Sequence, residues 1–286
     1  MGTLFVVATP IGNLEDITLR AVRVLQEVNL IAAEDTRTTR VLLRKHGVST
    51  RLVSYNEHNM RRRTPELLAT LASSDIALVS EAGTPGVSDP GHELIAATIA
   101  AGFAIVPIPG PSAVVTALVA SGLPMRQFIF LGFLPRRAGE RRRALSAAAH
   151  EPRTIVFFES PHRFRRTLED MQEVLGDRRI SVCRELTKTF EEIFRGNASE
   201  ALAHFQEPRG EFTIVFDGAS PDAQSPSGAE VRAELERLRA YGATAKDAVA
   251  AVAAGFGSPK REVYRLWLEL AATPPPRRKA RRRSAQ

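Results

Sequence analysis

The chain has 286 residues, of which 44% are hydrophobic, and it carries one cysteine and a formal net charge of +7. This length is typical of two domains, and this composition is sufficient for a packed core. No apolar run approaches the roughly 20 residues of a membrane span, the amino terminus lacks the pattern of a secretory signal, and Cys183 cannot form an internal disulfide, so we expect a soluble cytoplasmic protein without a membrane partner.

Short apolar runs alternate with helical patterns over the first 122 residues. Strands are predicted near 3–8, 29–33, 51–54, 75–79 and 103–108, and helices are predicted to begin near Thr18, Thr36, Met60, Asp89 and Pro111. The Asp89-Pro90 pair is expected to supply the N-cap and the first position of the fourth helix. This alternation predicts an α/β domain over 1–122 with a mostly parallel sheet.

A second α/β domain is predicted over 123–218. Its strands are expected near 128–131, 154–158, 180–184 and 212–216, with helices near 162–175 and 198–205. Because it has fewer helical crossovers per strand, we expect a smaller, mixed sheet. Cys183 lies in one of these apolar strands and is expected to be a core thiol.

The carboxyl-terminal part of the chain is predicted to be helical after a turn-rich linker at 219–228. Helices near 229–241, 245–254 and 258–271 form a module over 229–272 that resembles a helix-turn-helix unit, with Lys260 and Arg261 facing outward on the last helix. The module either contacts nucleic acid or acts as a stabilising appendage. The last segment, 273–286, is expected to be a disordered basic tail that either attracts a polyanion such as RNA or keeps the chain soluble.

Three predicted strands end in stiff loops rich in glycine and proline, at 9–14, 80–91 and 109–113. Polar clusters follow four other strands, at 34–37, 56–59, 159–163 and 184–188. A single loop or cluster of this kind is often an ordinary turn or helix cap. Together, at the carboxyl ends of strands, they favour a composite polar cleft that binds a ligand.

Several common ligand motifs are absent from the sequence. No strand is followed by Gly-x-Gly-x-x-Gly, and no Gly-Lys pair exists, which argues against an ordinary dinucleotide fold and excludes a P-loop. The six histidines have no spacing typical of metal ligands, so we expect no metal.

Seven segments in chain order resemble the bacterial ribosomal RNA small-subunit methyltransferase I family of class III, tetrapyrrole-methylase-like methyltransferases. They are residues 7–14, 34–37, 56–59, 80–91, 109–113, 159–163 and 184–188. The resemblance covers about residues 3–217 and extends to the helical module. It implies a two-domain homodimer with a tetrapyrrole-methylase-like fold. It also implies 2′-O-methylation of a cytidine in the decoding region of 16S rRNA, with S-adenosyl-L-methionine as the cofactor.

The resemblance also implies site residues. Those assigned to the cofactor are Pro10, Glu81, Gly83, Thr84, Pro85, Val87, Ser112, Ala113 and Glu159. Glu81 differs from the family pattern, which usually has Asp at this position. The Glu side chain is longer, so any contact that depends on the length of the side chain is altered.

For a ribose oxygen to attack the activated methyl group, a base or a stabilising cation is needed. We expect Lys188 to stabilise the developing charge and Asp35, His58 or Glu185 to act as the base. Arg37 and Arg163 are expected to hold RNA phosphates, while Asn56 and Asn59 read base edges or sugar hydroxyls. Two other functions fit the same residues: methylation of a small tetrapyrrole, and RNA binding without catalysis.

Overall fold

The computed structural model describes residues 1–219, 228–241, 243–256 and 258–272. The chain divides into two compact units, Met1–Gly218 and Ala219–Gln286. Most of the expected linker and all of the expected basic tail lie outside the described residues. No helix in the described ranges combines the length and the apolar character needed to cross a bilayer.

The first unit begins with a five-stranded sheet in which every pairing is parallel, as expected. Its strands are β1 (Thr3–Val7), β2 (Leu30–Ala33), β3 (Leu52–Ser54), β4 (Ile76–Val79) and β5 (Ala104–Ile108), in the order β3-β2-β4-β1-β5. The helices are α1 (Leu19–Glu27), α2 (Thr36–Lys45), α3 (Met60–Leu71), α4 (His92–Ala100) and α5 (Ala113–Ser121). Since β2 and β4 are buried along their whole length, both are continuous apolar runs.

The helices cover the first sheet on both faces. Leu25 of α1 and Leu43 of α2 pack on one face, and Leu67 of α3 and Leu94 of α4 pack on the other. Because each helix connects two parallel strands, the amino ends of these helices lie at the carboxyl edge of the sheet.

The start of α4 differs from the prediction. The helix begins at His92, after Gly91 at the N-cap, and Asp89 and Pro90 belong to the preceding loop. Gly91 has a φ of 148°, which only glycine adopts readily, so the chain enters the helix from a conformation that the Asp-Pro pattern did not indicate.

The second sheet is mixed, as expected, but it is not smaller than the first. Its strands are β6 (Phe128–Phe133), β7 (Thr154–Glu159), β8 (Arg179–Arg184), β9 (Glu192–Asn197) and β10 (Phe212–Phe216), in the order β6-β7-β10-β8-β9. Only the β6–β7 pairing is parallel. The helices of this part are α6 (Ala138–Ala147), α7 (Pro161–Leu175) and α8 (Ala198–His204).

Two of these elements, β9 and α6, were not predicted. The sequence Glu-Ile-Phe-Arg-Gly-Asn of β9 has only two adjacent apolar residues, and β9 is held by its antiparallel pairing with β8. The helix α6 has little apolar periodicity. It is anchored instead by the buried Leu145 and by Arg141, whose Nε donates a 2.7 Å hydrogen bond to Asp170 of α7.

The helix α5 connects the two sheets of the first unit. Its residues Val114 and Leu118 pack in one apolar cluster with Val156 of β7, Cys183 of β8 and Val215 of β10. Burial raises the pKa of the Cys183 thiol and so disfavours the thiolate. Cys183 is a core residue, and α5 places the carboxyl edge of the first sheet beside the second sheet.

Within its described residues, the second unit contains three helices: α9 (Gly228–Ala240), α10 (Ala245–Phe256) and α11 (Lys260–Ala272). They share a core that includes Leu235, Val252, Val263 and Trp267. The last helix begins at Lys260, later than the predicted start at Ser258.

Candidate active site

Three loops at the carboxyl edge of the first sheet lie against one another. The strand β1 is located between β4 and β5, so the segments that follow these strands are neighbours. Thr9 and Gly83 exchange two backbone hydrogen bonds, with N···O distances of 2.8 and 3.0 Å. Gly110 lies so close to Ala8 that a Cβ at position 110 would be 3.0 Å from the Ala8 Cβ. The edge therefore brings together the loops that contain most of the expected cofactor residues.

The expected cofactor residues differ in their exposure at this edge. Pro10 and Pro85 are buried, Thr84 is exposed, and Val87 is 43% exposed. Gly83 has a φ of 73°, so a side chain there would strain the turn. The loops therefore line this edge of the sheet with buried prolines and with the exposed side chains of Thr84 and Val87.

Ser112 and Ala113 lie where α5 begins. Ser112 is the N-cap residue, but its side chain makes no capping hydrogen bond. The first-turn N–H groups of α5 therefore lack a side-chain cap, and the Ser112 hydroxyl is available to a ligand. Ala113 packs at the margin of the apolar cluster between the sheets.

The loop after β8 closes on the first sheet at Gly12. A Cβ at position 12 would be 2.5 Å from the Lys188 Cγ and 2.7 Å from the Thr187 Oγ1. Glu185 and Thr187 have φ values of 51° and 67°, a left-handed conformation that non-glycine residues rarely adopt. Such strain often accompanies functional sites and persists only where surrounding contacts maintain it, as the close packing of the Lys188 loop on Gly12 does here.

Lys188 is held between two carboxylates. Its Nζ donates hydrogen bonds to Glu185 Oε1 at 3.0 Å and to Glu211 Oε2 at 2.8 Å. Burial alone would lower the pKa of Lys188, but its bonds to Glu211 and Glu185 outweigh burial and raise it. Burial likewise opposes ionisation of Glu185, but the Glu211 backbone N–H and Lys188 outweigh it and lower the Glu185 pKa. Lys188 therefore remains an ammonium group, and Glu185 is a weak base.

Several carboxylates crowd the same edge. Glu34 accepts a hydrogen bond from the Glu81 backbone N–H at 3.1 Å. Burial raises the pKa of Asp89 to about 7, assisted by the charges of Glu34, Glu81 and Glu211 and partly offset by a hydrogen bond from Ser80. Partial burial and the neighbouring carboxylates also raise the pKa of Glu81. This cluster has excess negative charge and suits a cationic ligand.

Asp35 is the N-cap of α2 and pairs with Arg37. It accepts hydrogen bonds from the Arg37 backbone N–H at 2.7 Å and from Arg37 Nη2 at 2.8 Å. The Arg37 guanidinium lowers the pKa of Asp35 to about 2. Asp35 is therefore poorly suited to accept a proton at neutral pH, whereas the Arg37 side chain is 87% exposed and accessible to a phosphate.

The amides of Asn56 and Asn59 hold the turn that follows β3. Asn59 Oδ1 accepts a hydrogen bond from the Asn56 backbone N–H, and both side-chain NH2 groups donate to Ser54. Asn56 Oδ1 accepts from the His58 backbone N–H at 3.2 Å. The two asparagines are thus engaged within the turn, which leaves them less able to read bases, while the His58 side chain is exposed.

Glu159 was expected to reach the cofactor, but its side chain is fully buried. Its carboxylate accepts hydrogen bonds from the Ser160 backbone N–H, from Arg163 Nη2 at 3.0 Å and from Thr167 Oγ1 at 2.6 Å. Arg163 also donates to the Leu134 carbonyl and is only 22% exposed. The arrangement suits internal positioning better than contact with a cofactor or a phosphate.

Lys260 and Arg261 lie in the second unit, where both are exposed on the first turn of α11. Within the ranges that the structure describes, no three His, Cys, Asp or Glu side chains are grouped as metal ligands would be.

Two carboxylates of the candidate site, Asp89 and Glu211, were not among the residues expected from the sequence. Asp89 was interpreted as a helix cap, because Asp-Pro before a helical pattern is typical of one. Glu211 precedes β10, and it reaches Lys188 only because β10 runs antiparallel to β8, with Phe212 opposite Arg184. A register between distant strands leaves no local signal in the sequence.

Comparisons with known proteins agree on one family. The sequence profile described as Tetrapyrrole (Corrin/Porphyrin) Methylases matches residues 3–202. The chain is 46% identical to the ribosomal RNA small subunit methyltransferase I of Halalkalibacterium halodurans, over 93% of this chain and 94% of that protein. It is 49% identical to the protein of the same name from Synechocystis sp., over 95% and 99%, respectively.

Solved structures support the fold. The methyltransferase CobJ matches 77% of this chain and 95% of its own with a TM-score of 0.61 at 22% identity. The cobalt precorrin-4 methyltransferase CbiF matches 75% and 94% with a TM-score of 0.58 at 17% identity. These matches confirm the expected tetrapyrrole-methylase-like fold. The chain therefore belongs to the tetrapyrrole methylase family and, within it, to the ribosomal RNA small subunit methyltransferase I group.

Proposed function

We propose that this chain transfers a methyl group from S-adenosyl-L-methionine to the ribose 2′-oxygen of a cytidine in the decoding region of 16S rRNA. One observation supports this proposal most strongly. At the carboxyl edge of the first sheet, three strand-end loops lie together with a cluster of carboxylates and with a lysine that is paired with carboxylates. The names of the relatives direct the proposal to ribosomal RNA of the small subunit. We place this activity in the cytoplasm, where ribosomes are found.

The residues at this edge fit S-adenosylmethionine. The cofactor supplies an activated methyl group on a sulfonium centre and is a net cation, so the cluster of Glu34, Glu81 and Asp89 suits its charge. Its carboxylate suits the uncapped first turn of α5 at Ser112. The residues that would hold it are Pro10, Gly83, Thr84, Pro85, Val87, Ser112 and Ala113.

The protein's own residues would align the ribose oxygen, stabilise the negative charge that develops on it and accept its proton. Lys188 is an ammonium group that would stabilise the negative charge developing on that oxygen. The pKa of Asp89 is raised to about 7, whereas those of Asp35 and Glu185 are lowered, so we assign Asp89 as the proton acceptor ahead of these two, with the exposed His58 as the alternative. Glu211 joins these groups, since it pairs with Lys188 and raises the Asp89 pKa.

A homodimer is part of the proposal. Val115 and Val119 of α5 are 52% and 63% exposed, and they line a groove of about 440 Å³ with Leu186 and Ile193. An apolar surface of this kind is what a second copy of the chain could cover.

The direct test is to incubate the protein and tritiated S-adenosylmethionine with small subunits from cells that lack it, and to map the labelled nucleotide. Label on the 2′-oxygen of one decoding-region cytidine is expected. Label found only in an added tetrapyrrole would overturn the proposal in favour of a small-molecule methylase. RNA binding without cofactor binding in calorimetry would instead indicate a non-catalytic RNA-binding protein.

A further inference from the structure

The first turn of α3 carries three consecutive arginines, Arg61, Arg62 and Arg63. Arg63 is half-buried and pairs with Glu66 at 2.7 Å. Arg61 and Arg62 are exposed, and neither forms an ion pair within the described ranges. Two consecutive arginines of the first unit are therefore exposed to solvent.

These arginines oppose the ordinary charge preference of a helix. The amino end of a helix carries a partial positive charge and favours acidic residues, yet the first turn of α3 has none. In α2 the N-cap Asp35 supplies the acidic group and pairs with Arg37, and Arg40 in the next turn is exposed and without an ion pair in the part of the chain that is described. The charge preference of a helix terminus therefore does not account for Arg61 and Arg62.

The sheet topology places the two basic turns at the same corner. The strands β2 and β3 are parallel neighbours, and Ala33 pairs with Ser54 at their carboxyl ends. Because α2 begins just after β2 and α3 begins soon after β3, both first turns lie at this edge. The strand β3 is the outermost of the sheet, so the arginines flank the site rather than fill it.

The charges of this corner and of the cleft are opposite. The carboxylates Glu34, Glu81 and Asp89 repel phosphates from the centre of the edge. A cationic cofactor would be drawn to those carboxylates and repelled by the arginines. Exposed arginines at this corner would attract a polyanion such as RNA and so offset its repulsion by the carboxylates of the cleft.

We propose that Arg61 and Arg62, together with Arg40, form a docking surface for the phosphate backbone of RNA beside the nucleotide that is methylated. This inference rests on the proposed function and extends it to a defined surface. The arginines bind phosphates without reading sequence, so they position the RNA rather than select the base.

The test compares two double variants of the full-length protein. Arg61→Gln with Arg62→Gln removes the docking charges. Arg44→Gln with Arg51→Gln removes two exposed arginines from the opposite edge, because Arg44 lies in the last turn of α2 and Arg51 precedes β3. Both double variants lose the same net charge, so a general electrostatic effect would be equal in the two.

We expect the docking variant to bind small subunits more weakly, on the order of tenfold at physiological salt. The slope of log Kd against log salt should decrease by about 0.7 to 0.9 for each lost phosphate contact. Its KM for subunits should rise, with kcat and the calorimetric affinity for S-adenosylmethionine unchanged. Arg61→Lys with Arg62→Lys should retain most of the salt slope, because the charge is kept.

The proposed docking surface is refuted if the wild type methylates subunits and the docking variant has the same KM, and the same slope of log Kd against log salt, as the control variant. Failure of the wild type to methylate subunits would instead refute the proposed function, and the docking surface with it. The two failures are therefore distinguishable.

Discussion

The Lys188 ammonium lies 2.8 Å from the Glu211 carboxylate, although 23 residues separate the two in sequence. Removal of the ammonium should slow methyl transfer, because the charge on the ribose oxygen would lose its stabilising cation. We expect Lys188→Met to lower kcat by about 10²–10³-fold, the scale seen when one donor to an oxyanion is removed. Lys188→Arg should retain more activity, and wild-type kcat in Lys188→Met would remove this residue from the mechanism.

We expect Asp89 to make the activity depend on pH near neutrality. Its pKa of about 7 means that it loses its proton-accepting form below that pH, so kcat should fall as the solution is acidified. In Asp89→Asn this acid limb should disappear together with most of the activity. An acid limb that persists unchanged in Asp89→Asn but is lost in His58→Gln would transfer the role to His58.

The same carboxyl group should affect stability. Its folded pKa lies above the ordinary value of 3.8, so between these values the folded chain holds a proton that the unfolded chain has released. Stability contributed by this group is therefore present at low pH and is lost as pH rises through about 7. Because Asp89→Asn lacks this loss, its melting temperature relative to that of the wild type should rise between pH 4 and about pH 7, and a difference that stays constant over this range would contradict the prediction.

Glu81 should contribute charge to the cofactor site. We expect Glu81→Gln to weaken binding of S-adenosylmethionine by up to about tenfold, or roughly 1.4 kcal/mol. Affinity for S-adenosylhomocysteine, which lacks the sulfonium charge, should change much less in the same calorimetric titration. Equal losses for both ligands would show that the residue acts by shape rather than by charge.

Gly12 should be intolerant of any side chain. Alanine at this position would place its Cβ 2.5 Å from the Lys188 Cγ and 2.8 Å from the Leu186 carbonyl oxygen, so the loop after β8 would have to move. We expect Gly12→Ala to cost about 1–3 kcal/mol in the free energy of unfolding and to reduce kcat with it. Gly139→Ala is the matched control, because a Cβ at that helical position has no neighbour within 4 Å and should be neutral or stabilising.

Glu159 should contribute more to the free energy of unfolding than to the affinity for the cofactor. Glu159→Gln leaves Arg163 without its carboxylate in a mostly buried position. A loss of about 2–3 kcal/mol in the free energy of unfolding is expected by denaturant titration. If Glu159→Gln lowered the affinity for the cofactor more than it lowered stability, the result would instead support the direct contact with the cofactor that the family resemblance implies.

The alternation of strands and helices, the parallel first sheet and the Gly/Pro-rich loops at its carboxyl edge could all be predicted from the order of the residues. These features follow from local rules, since the hydrophobic period and the backbone limits of glycine and proline act over a few residues. The family resemblance rested on the same loops, which is why it pointed to the correct fold.

Which polar groups act on one another became evident only from the folded chain. The strand β9 exists because β8 pairs with it, Glu211 reaches Lys188 because β10 runs antiparallel, and Glu159 is enclosed by Arg163 and Thr167. The pKa of Asp35 is lowered by its contact with the Arg37 guanidinium, whereas the pKa of Asp89 is raised by burial and by the neighbouring carboxylates. Such effects depend on through-space distance and burial, which residue order does not specify until the chain has folded.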